Sequence, residues 1–209
     1  MINNLIKSTK AYSIKKPSLR SDIFNLLNKN ISKKKKYNHL LRIALNKKNI
    51  SISLRKRITP SLNFNLKLVN LKRQKPEFKN LKYKEILKHL SMLNNSKSDI
   101  GLCSNKKIFE TGTSNLLFIK DNKVYSPAVK FYNGITLKFI KTKIKKIIKK
   151  DITIDALKIY DEIILIGSGK GVASVKTINQ IKWKRKSLKF YRILLKHYQS
   201  AINKCPSYK

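Results

Sequence analysis

Two short stretches of the chain carry residue types that are typical of a cofactor site. The segment FKNLKYKEIL, residues 78–87, places Lys79 four residues before Tyr83. The segment IFETGTSN places Glu110 directly ahead of a run of small and hydroxyl-bearing residues. An amine, a phenol and a carboxylate can each hold or exchange a proton, and hydroxyls donate and accept hydrogen bonds. We therefore interpret these residues as a candidate cofactor site.

The charge balance of the chain predicts a polyanionic partner. The 209 residues include 49 Lys and Arg against 10 Asp and Glu, which gives a formal net charge of +39. An AT-rich coding sequence enriches Lys, Asn and Ile, but we do not expect it to account by itself for so few carboxylates. A compact body with this charge repels itself unless counterions or phosphates lie against it. We therefore expect nucleic-acid binding, to RNA before DNA or a membrane surface; the alternative is a solvated basic surface.

Other features exclude several classes of protein. No run approaches the ~20 apolar residues that a membrane-spanning helix needs, so we expect no integral membrane protein. Cys103 and Cys205 form no C-x-x-C pair, and His39, His89 and His197 are scattered. We therefore expect no metal site, and a reducing compartment.

Residues 1–36 are predicted to be a basic N-terminal extension or targeting segment. They contain a single acid, Asp22, with several Ser and Lys. That composition is typical of an organellar targeting segment or of a basic RNA-binding arm. The acid-poor N-terminus and the AT-rich composition favour a mitochondrion over a plastid. Ser21 is predicted to cap a short helix that continues to Leu27.

Residues 37–205 are predicted to form an α+β domain with more strand than helix, followed by a tail, residues 206–209. Apolar runs predict strands at NHLLRIALN and FNLKLVNLK, separated by the polar stretch NISISLRKRITPS. A meander of short strands is predicted from IGLCS through NLLFIK and VYSP, with a hairpin at Asp121–Asn122. The segments EIILIG and GVASVKTIN predict two more strands.

Helices are predicted where apolar residues recur at spacings of three and four. The first spans about residues 82–93, and the second follows GITLKFIKTKIKKIIKK as an amphipathic helix with a basic outer face. A short helical turn is predicted before Tyr160. A terminal helix is predicted between Leu188 and Ile202, with its apolar stripe packed on the sheet.

The order of these segments resembles the class IV aminotransferases, the pyridoxal-phosphate enzymes that include branched-chain aminotransferases and aminodeoxychorismate lyase. Lys79 with Tyr83 is followed by Glu110 before TGTSN, then LLFIKDNKVYSP, NGIT at the start of a helix, DEIILIGSGKGVASV and a closing helix. The likeness runs from about residue 38 to 203 and is strongest from Phe109 to Val175. It implies mostly the C-terminal domain of the fold-type IV pyridoxal-phosphate fold.

The resemblance implies a role for each matched residue. Lys79 stands where the family forms its Schiff base, and Tyr83 where a tyrosine contacts the cofactor ring oxygen. Glu110 would face the pyridine nitrogen, where a carboxylate keeps that nitrogen protonated and makes the ring an electron sink. Phosphate contacts at a helix N-terminus and at a glycine-rich turn are implied for Gly134, Ile135, Thr136, Ser168 and Gly169.

The same residues have a structural alternative. Lysine is so common here that Lys79 alone carries little information. The hydroxyls of ETGTSN can satisfy backbone groups in a turn, and Asn133 is a good N-cap for a helix that needs no ligand. A glycine-rich loop such as GSGKG is weak evidence by itself.

The chain also departs from the family pattern. Family members have a complete small N-terminal domain that contributes an arginine near the phosphate and much of the substrate pocket. Here 78 residues precede Lys79, and 36 of them are predicted to be an extension. We therefore expect an N-terminally truncated, inactive scaffold whose open pocket admits water. Lys170, within GSGKG, adds positive charge that attracts phosphodiesters.

From the sequence we interpret the protein as a structural constituent of an organellar ribosome, mitochondrial in the first instance. Its partners would be rRNA and neighbouring ribosomal proteins; no cofactor is expected, and a homodimer is possible but not favoured. The alternatives are an active pyridoxal-phosphate enzyme, resembling aminodeoxychorismate lyase or an aminotransferase, and a free nucleic-acid-binding accessory protein. The predicted RNA contacts are Lys33, Lys34, Lys35, Lys36, Arg55, Lys56, Arg57, Lys72, Arg73, Lys141, Lys143, Lys145, Lys146, Lys149, Lys150, Lys184, Arg185 and Lys186.

Overall fold

The computed structural model describes residues 2–35 and 37–205, which form two compact units. The first unit contains the described residues up to Arg57 together with Phe78–Asn80. The second contains Ile58–Glu77 and Leu81–Cys205. Lys36 and the predicted tail lie outside the described residues.

The first unit combines two helices with a two-stranded sheet. Its elements are α1 (Ile2–Ala11), α2 (Leu19–Asn30), β1 (His39–Leu45) and β2 (Ile50–Lys56). The two strands are antiparallel, with His39 opposite Lys56. In α2 the buried residues Leu19 and Ile23 are four positions apart, so they lie on one face of the helix.

Two local predictions about this unit are wrong. Helix α2 begins at Leu19, and Ser21 lies inside its first turn, where its hydroxyl donates a hydrogen bond to the Ser18 carbonyl at 2.8 Å. The polar stretch after β1 forms β2 instead of a connection. Ile50 and Ile52 alternate there with exposed serines, which is the period of a strand with one covered face.

The second unit is built on one mixed sheet. Its strands are β3 (Phe64–Asn70), β4 (Ser98–Ser104), β5 (Lys107–Thr111), β6 (Asn115–Lys120), β7 (Lys123–Pro127), β8 (Ile147–Lys150), β9 (Glu162–Gly167), β10 (Gly171–Ile178) and β11 (Trp183–Lys184). Among the described residues the order is β5-β4-β3-β10-β9-β6-β7-β8, and β11 pairs with β10. Strand β3 runs parallel to β4 and β10, and β7 runs parallel to β8.

The core of this unit is centred on β6 and β9, which are covered on both faces. Leu116–Ile119 and Ile163–Ile166 are at most 2% exposed. One face packs against a cluster that includes Trp183, whose indole N–H donates to the Tyr160 carbonyl at 2.9 Å. Strands buried on both faces are apolar without alternation, which is why NLLFIK and EIILIG have continuous apolar runs.

Three helices and two short 3-10 turns complete the unit. They are α3 (Lys84–Ser91), α4 (Ile135–Lys141), α5 (Lys189–Asn203), and the turns Asp155–Ile159 and Asn179–Ile181. Helices α4 and α5 contribute to the cluster on the other face of the sheet. No helix in residues 2–35 and 37–205 has the length and apolar character to span a bilayer.

The buried carboxylate of Glu162 caps helix α5. Its two oxygens accept the backbone N–H groups of Phe190 and Tyr191, each at 2.9 Å. The residue at the N-cap position, Leu188, makes no side-chain cap hydrogen bond. The Glu162 carboxylate, from β9, therefore takes the place of an N-cap side chain and lies at the positive end of the helix dipole.

The α+β class, with more strand than helix, is confirmed, as are the predicted hairpin at Asp121–Asn122 and the terminal helix. The long amphipathic helix is wrong, because α4 ends at Lys141 and Ile147–Lys150 forms β8. β8 pairs in parallel with β7, with Ile147 opposite Val124. The stiff β-branched side chains of its two isoleucines suit a strand, and pairing with β7 overrides the helical spacing.

Candidate functional site

Glu110 lies near the end of β5 and is 5% exposed. Its Oε1 accepts a hydrogen bond from Arg73 Nε at 2.9 Å, and its Oε2 accepts one from Arg73 Nη2 at 3.0 Å. The Tyr132 backbone N–H also donates to Oε2, at 3.2 Å. This arrangement fixes the plane of the carboxylate by two parallel bonds from one guanidinium.

The sequence predicted Arg73 as an RNA contact, but in the structure its guanidinium pairs with Glu110. Its side chain is 10% exposed, its Nη2 also donates to the Pro76 carbonyl, and its guanidinium carbon lies 6.0 Å from the centroid of the Tyr132 ring. A buried carboxylate needs a paired cation or compensating hydrogen bonds, and arginine is the cation that pairs bidentately. That requirement was a usable signal, but a separation of 37 positions between the partners conceals it in the sequence.

The residues predicted to bind phosphate meet at the start of α4. Gly134 occupies the N-cap position, in place of the predicted Asn133. Its N–H donates to Asn115 Oδ1 at 3.4 Å, and a Cβ at Gly134 would lie 2.9 Å from that oxygen. A Cβ at this position would have to displace the Asn115 amide, whose Nδ2 holds the preceding turn through the Tyr132 carbonyl at 2.6 Å.

The second predicted phosphate segment lies beside the first. Ser168, on the turn between β9 and β10, places its Oγ 3.5 Å from Thr136 Oγ1. Thr136 is buried, whereas Ser168 and Ile135 are exposed and Gly169 is half-buried. The structure therefore brings together the hydroxyls of two segments that are 32 residues apart in the sequence.

Lys79 belongs to the first unit, and its environment there includes helix α1. The Lys79 backbone N–H donates to Ser8 Oγ at 3.1 Å, and Asn80 Nδ2 donates to Tyr12 Oη at 2.9 Å. Residues of the segment assigned from sequence to an extension thus position the predicted Schiff-base lysine. Sequence reasoning missed Ser8 and Tyr12, for which composition provides no signal.

Tyr83 belongs to the second unit and directly precedes α3, at its N-cap position. It is half-buried and packs against a cluster that contains Ile86 and Leu90. The tyrosine is therefore anchored by apolar contacts at the base of the helix that follows it.

Most of the predicted RNA contacts are exposed. Arg185 is half-buried and donates to the Leu62 carbonyl and to Ser174 Oγ, and burial lowers its pKa, against the charge of Glu162. Burial, followed by the like charges of Lys149 and Lys138, lowers the pKa of Lys141. Arg57 is also half-buried. The exposed members are Lys33, Lys34, Lys35, Arg55, Lys56, Lys72, Lys143, Lys145, Lys146, Lys149, Lys150, Lys184 and Lys186.

The cysteines are separate from these residues. Cys103 is buried, and burial raises its pKa to about 11, opposed by a hydrogen bond with the Val69 backbone. Cys205 is exposed. Within residues 2–35 and 37–205, no cluster of three or more His, Cys, Asp or Glu side chains is arranged to hold a metal ion.

A family model described as "Amino-transferase class IV" matches residues 2–178. The match begins inside α1, so it includes nearly all of the segment that the sequence analysis assigned to an extension. A comparison with curated proteins gives no match.

Solved structures of similar fold cover nearly the whole chain. The branched-chain aminotransferase of T.th. complexed with N-(5'-phosphopyridoxyl)-L-glutamate has a TM-score of 0.77 at 16% identity, covering 99% of this chain and 79% of that one. The 4-amino-4-deoxychorismate lyase of Pseudomonas aeruginosa has a TM-score of 0.69 at 14% identity, covering 99% and 84%. The branched-chain aminotransferase of Thermobaculum terrenum in its PLP-form has a TM-score of 0.69 at 15% identity, covering 96% and 76%. At these identities the likeness shows the fold alone.

Proposed function

Because the chain belongs to the class IV aminotransferase family, we propose that it is a pyridoxal-phosphate-dependent enzyme of the aminodeoxychorismate-lyase or aminotransferase type. The observation that carries this proposal is the buried Glu110 carboxylate, oriented by Arg73 and by the Tyr132 N–H. A chain with ten acids has kept one at the family position and has supplied it with a buried guanidinium. This favours a working site over the inactive scaffold expected from composition.

The donor set fits a phosphorylated pyridine. Such a ring needs a carboxylate at its nitrogen and several hydrogen-bond donors at its phosphate. Glu110 supplies the carboxylate. The hydroxyls of Thr136 and Ser168, 3.5 Å apart, lie beside the first turn of α4, whose first N–H groups have no partner within the helix. Gly134 leaves this backbone free of a Cβ that would meet Asn115.

The residues of this chain divide the work between orientation and binding. When bound, pyridoxal phosphate supplies an electron sink for bond cleavage next to the substrate nitrogen. Glu110 would accept a hydrogen bond from the protonated ring nitrogen, and Arg73 keeps both carboxylate oxygens in position for that contact. Gly134 to Thr136 and Ser168 would bind the phosphate. The family resemblance assigns covalent attachment to Lys79.

The test is a titration of the protein with pyridoxal 5′-phosphate. We expect an absorption band near the visible edge in the wild type and in Lys84→Ala, and no such band in Lys79→Ala. Borohydride reduction followed by peptide mass mapping should locate the adduct on Lys79. Labelling spread evenly over many surface lysines, and unchanged by Lys79→Ala, would contradict the proposal.

A second candidate function is supported by the net charge of +39 and by the exposed lysines named above. It is RNA binding as a constituent of an organellar, mitochondrial ribosome, with rRNA and ribosomal proteins as partners. Burial, and after it the like charges of Lys149 and Lys138, lowers the pKa of Lys141, and a phosphate placed there would relieve the repulsion between these lysines. The mechanism is neutralisation of phosphates with release of counterions.

This second function predicts a salt-dependent affinity for RNA. Replacing Lys145, Lys146 and Lys149 by Gln removes three exposed cations of one segment, so the slope of log K against log salt should fall by about 2. Filter binding to a single-stranded RNA at several salt concentrations measures the slope, with Lys79→Ala as the control that keeps it. Sedimentation from the native source should place the protein with large particles, and its absence from them would contradict the ribosomal role.

A further inference from the structure

Lys170 lies inside the protein, although its position in GSGKG predicted a surface charge. Its side chain is 4% exposed, and its Nζ lies 2.8 Å from Oδ2 of Asp99, whose side chain is 0% exposed. The Nζ also donates to Thr113 Oγ1 at 3.1 Å and lies 5.2 Å from the centroid of the Phe64 ring. The ammonium group is therefore surrounded by a carboxylate, a hydroxyl and an aromatic ring.

Asp99 links three parts of the second unit through this contact. Besides Lys170, its Oδ2 accepts hydrogen bonds from Thr111 Oγ1 at 2.9 Å and Thr113 Oγ1 at 2.6 Å. Its Oδ1 accepts the Ile100 N–H at 2.8 Å. The Asp99 carboxylate thus joins three segments by hydrogen bonds: strand β4, the segment that directly follows Glu110, and the turn between β9 and β10.

Stability alone does not account for a buried ion pair. Removing two charges from water is costly, and well-packed apolar residues of similar volume are often equally or more stabilising. The chain has 10 carboxylates and places this one where no solvent reaches it. The Asp99–Lys170 pair is therefore better explained by the positions in which it holds the segments that it joins than by a gain in stability.

The pair and a glycine contact together hold the turn at both of its ends. At Gly167 a Cβ would lie 2.8 Å from Ser114 Oγ, so the backbone there packs directly on the segment after Glu110. At the other end Lys170 is tied to Thr113 of the same segment. Ser168 lies between these two anchors, with its Oγ 3.5 Å from Thr136 Oγ1.

We propose that Lys170 is a positioning residue for phosphate binding. Its pairing with Asp99 holds the turn of residues 167–171 against the segment that follows Glu110, and so keeps the Ser168 hydroxyl beside Thr136. The inference rests on the proposed cofactor function, because it names what this network does for that site.

The test compares a charge-free double variant, Asp99→Asn/Lys170→Met, with Lys176→Met, a control on the exposed side of β10. Amide hydrogen exchange reports on the turn itself, and we expect roughly tenfold faster exchange at Ser168 and Gly169 in the double variant. Titrations with pyridoxal 5′-phosphate and with pyridoxal separate phosphate contacts from ring contacts. The double variant should bind the phosphorylated compound about tenfold more weakly, the loss of about one charge-assisted hydrogen bond, and should bind pyridoxal as the wild type does.

Two further variants keep the test decisive. Thr113→Val removes one hydroxyl while the Asp99–Lys170 ion pair stays intact, and it should show the same losses to a smaller degree. Lys170→Arg keeps a positive charge beside Asp99, so this variant should retain much of the wild-type preference for pyridoxal 5′-phosphate over pyridoxal. Unchanged exchange at the turn overturns the proposal, and equal weakening toward both compounds overturns the phosphate role.

A wild type that binds no pyridoxal 5′-phosphate refutes the proposed function separately. Protection of the turn amides by inorganic phosphate then decides the inference. Protection that disappears in the double variant supports positioning by Lys170, and protection that is absent or equal in both proteins overturns it.

Discussion

Replacing Arg73 by Ala is expected to lower the free energy of unfolding of the second unit by about 3–5 kcal/mol. The substitution removes both guanidinium hydrogen bonds from the buried Glu110 carboxylate. The loss exceeds that of an ordinary surface substitution, because the buried carboxylate loses the guanidinium that offsets its desolvation cost. Arg73→Lys keeps a charge but loses the planar fork, so it should recover only part of the loss.

Urea unfolding followed by the fluorescence of Trp183 measures this effect. Trp183 is the only tryptophan of the chain and is buried in the core of the second unit. Lys72→Ala is the matched control, since Lys72 is exposed, and it should change the free energy of unfolding by less than about 0.5 kcal/mol.

A double variant, Arg73→Ala/Glu110→Gln, tests the stated cause. Removing the carboxylate charge as well should return a large part of the stability lost in Arg73→Ala, because the neutral amide is cheaper to bury. If Arg73→Ala unfolds at the same urea concentration as Lys72→Ala, the Arg73–Glu110 pair does not stabilise the second unit as expected.

The second large effect is expected for Glu162→Ala. Each hydrogen bond to a charged group contributes about 1.5–3 kcal/mol, and this substitution removes two of them. It also leaves the N–H groups of Phe190 and Tyr191 without their acceptors. We therefore expect a loss of about 3 kcal/mol or more in the free energy of unfolding, with fraying of the first turn of α5.

Asp161→Ala is the control for this experiment. Asp161 is the preceding residue, partly exposed and 3.7 Å from Lys186, so its removal should cost less than about 1 kcal/mol. Hydrogen exchange along α5 locates the change. Wild-type protection at Phe190 and Tyr191 in Glu162→Ala would show that the cap is dispensable.

The parts of the fold that the sequence predicts well are those decided by local pattern. Strands β6 and β9 are continuous apolar runs between turn residues, and α5 has a clear helical stripe. The pattern fails where a distant partner decides. Ile147 and Ile148 continue the helical spacing of α4, yet pairing with β7 makes them part of a strand.

The sequence indicates candidate members of the site, but it does not indicate the residues that support them. Glu110 was identifiable because acids are rare in this chain. Arg73, Ser8 and Lys170 were not, since each acts through a residue at least 37 positions away in sequence. An abundance of lysine also hides the one lysine of the second unit, among its described residues, whose side chain is buried beside a carboxylate. Such long-range polar pairs follow from tertiary packing and leave no periodic trace.

Three of the ten carboxylates, those of Asp99, Glu110 and Glu162, are in the interior. The surface therefore carries fewer carboxylates than the ten Asp and Glu of the sequence would indicate. Two copies of the chain that approach each other in dilute buffer present mainly cationic surfaces to each other. Self-association through complementary ion pairs is therefore disfavoured. The molecule should bind tightly to a cation exchanger and should coacervate readily with polyphosphate or heparin.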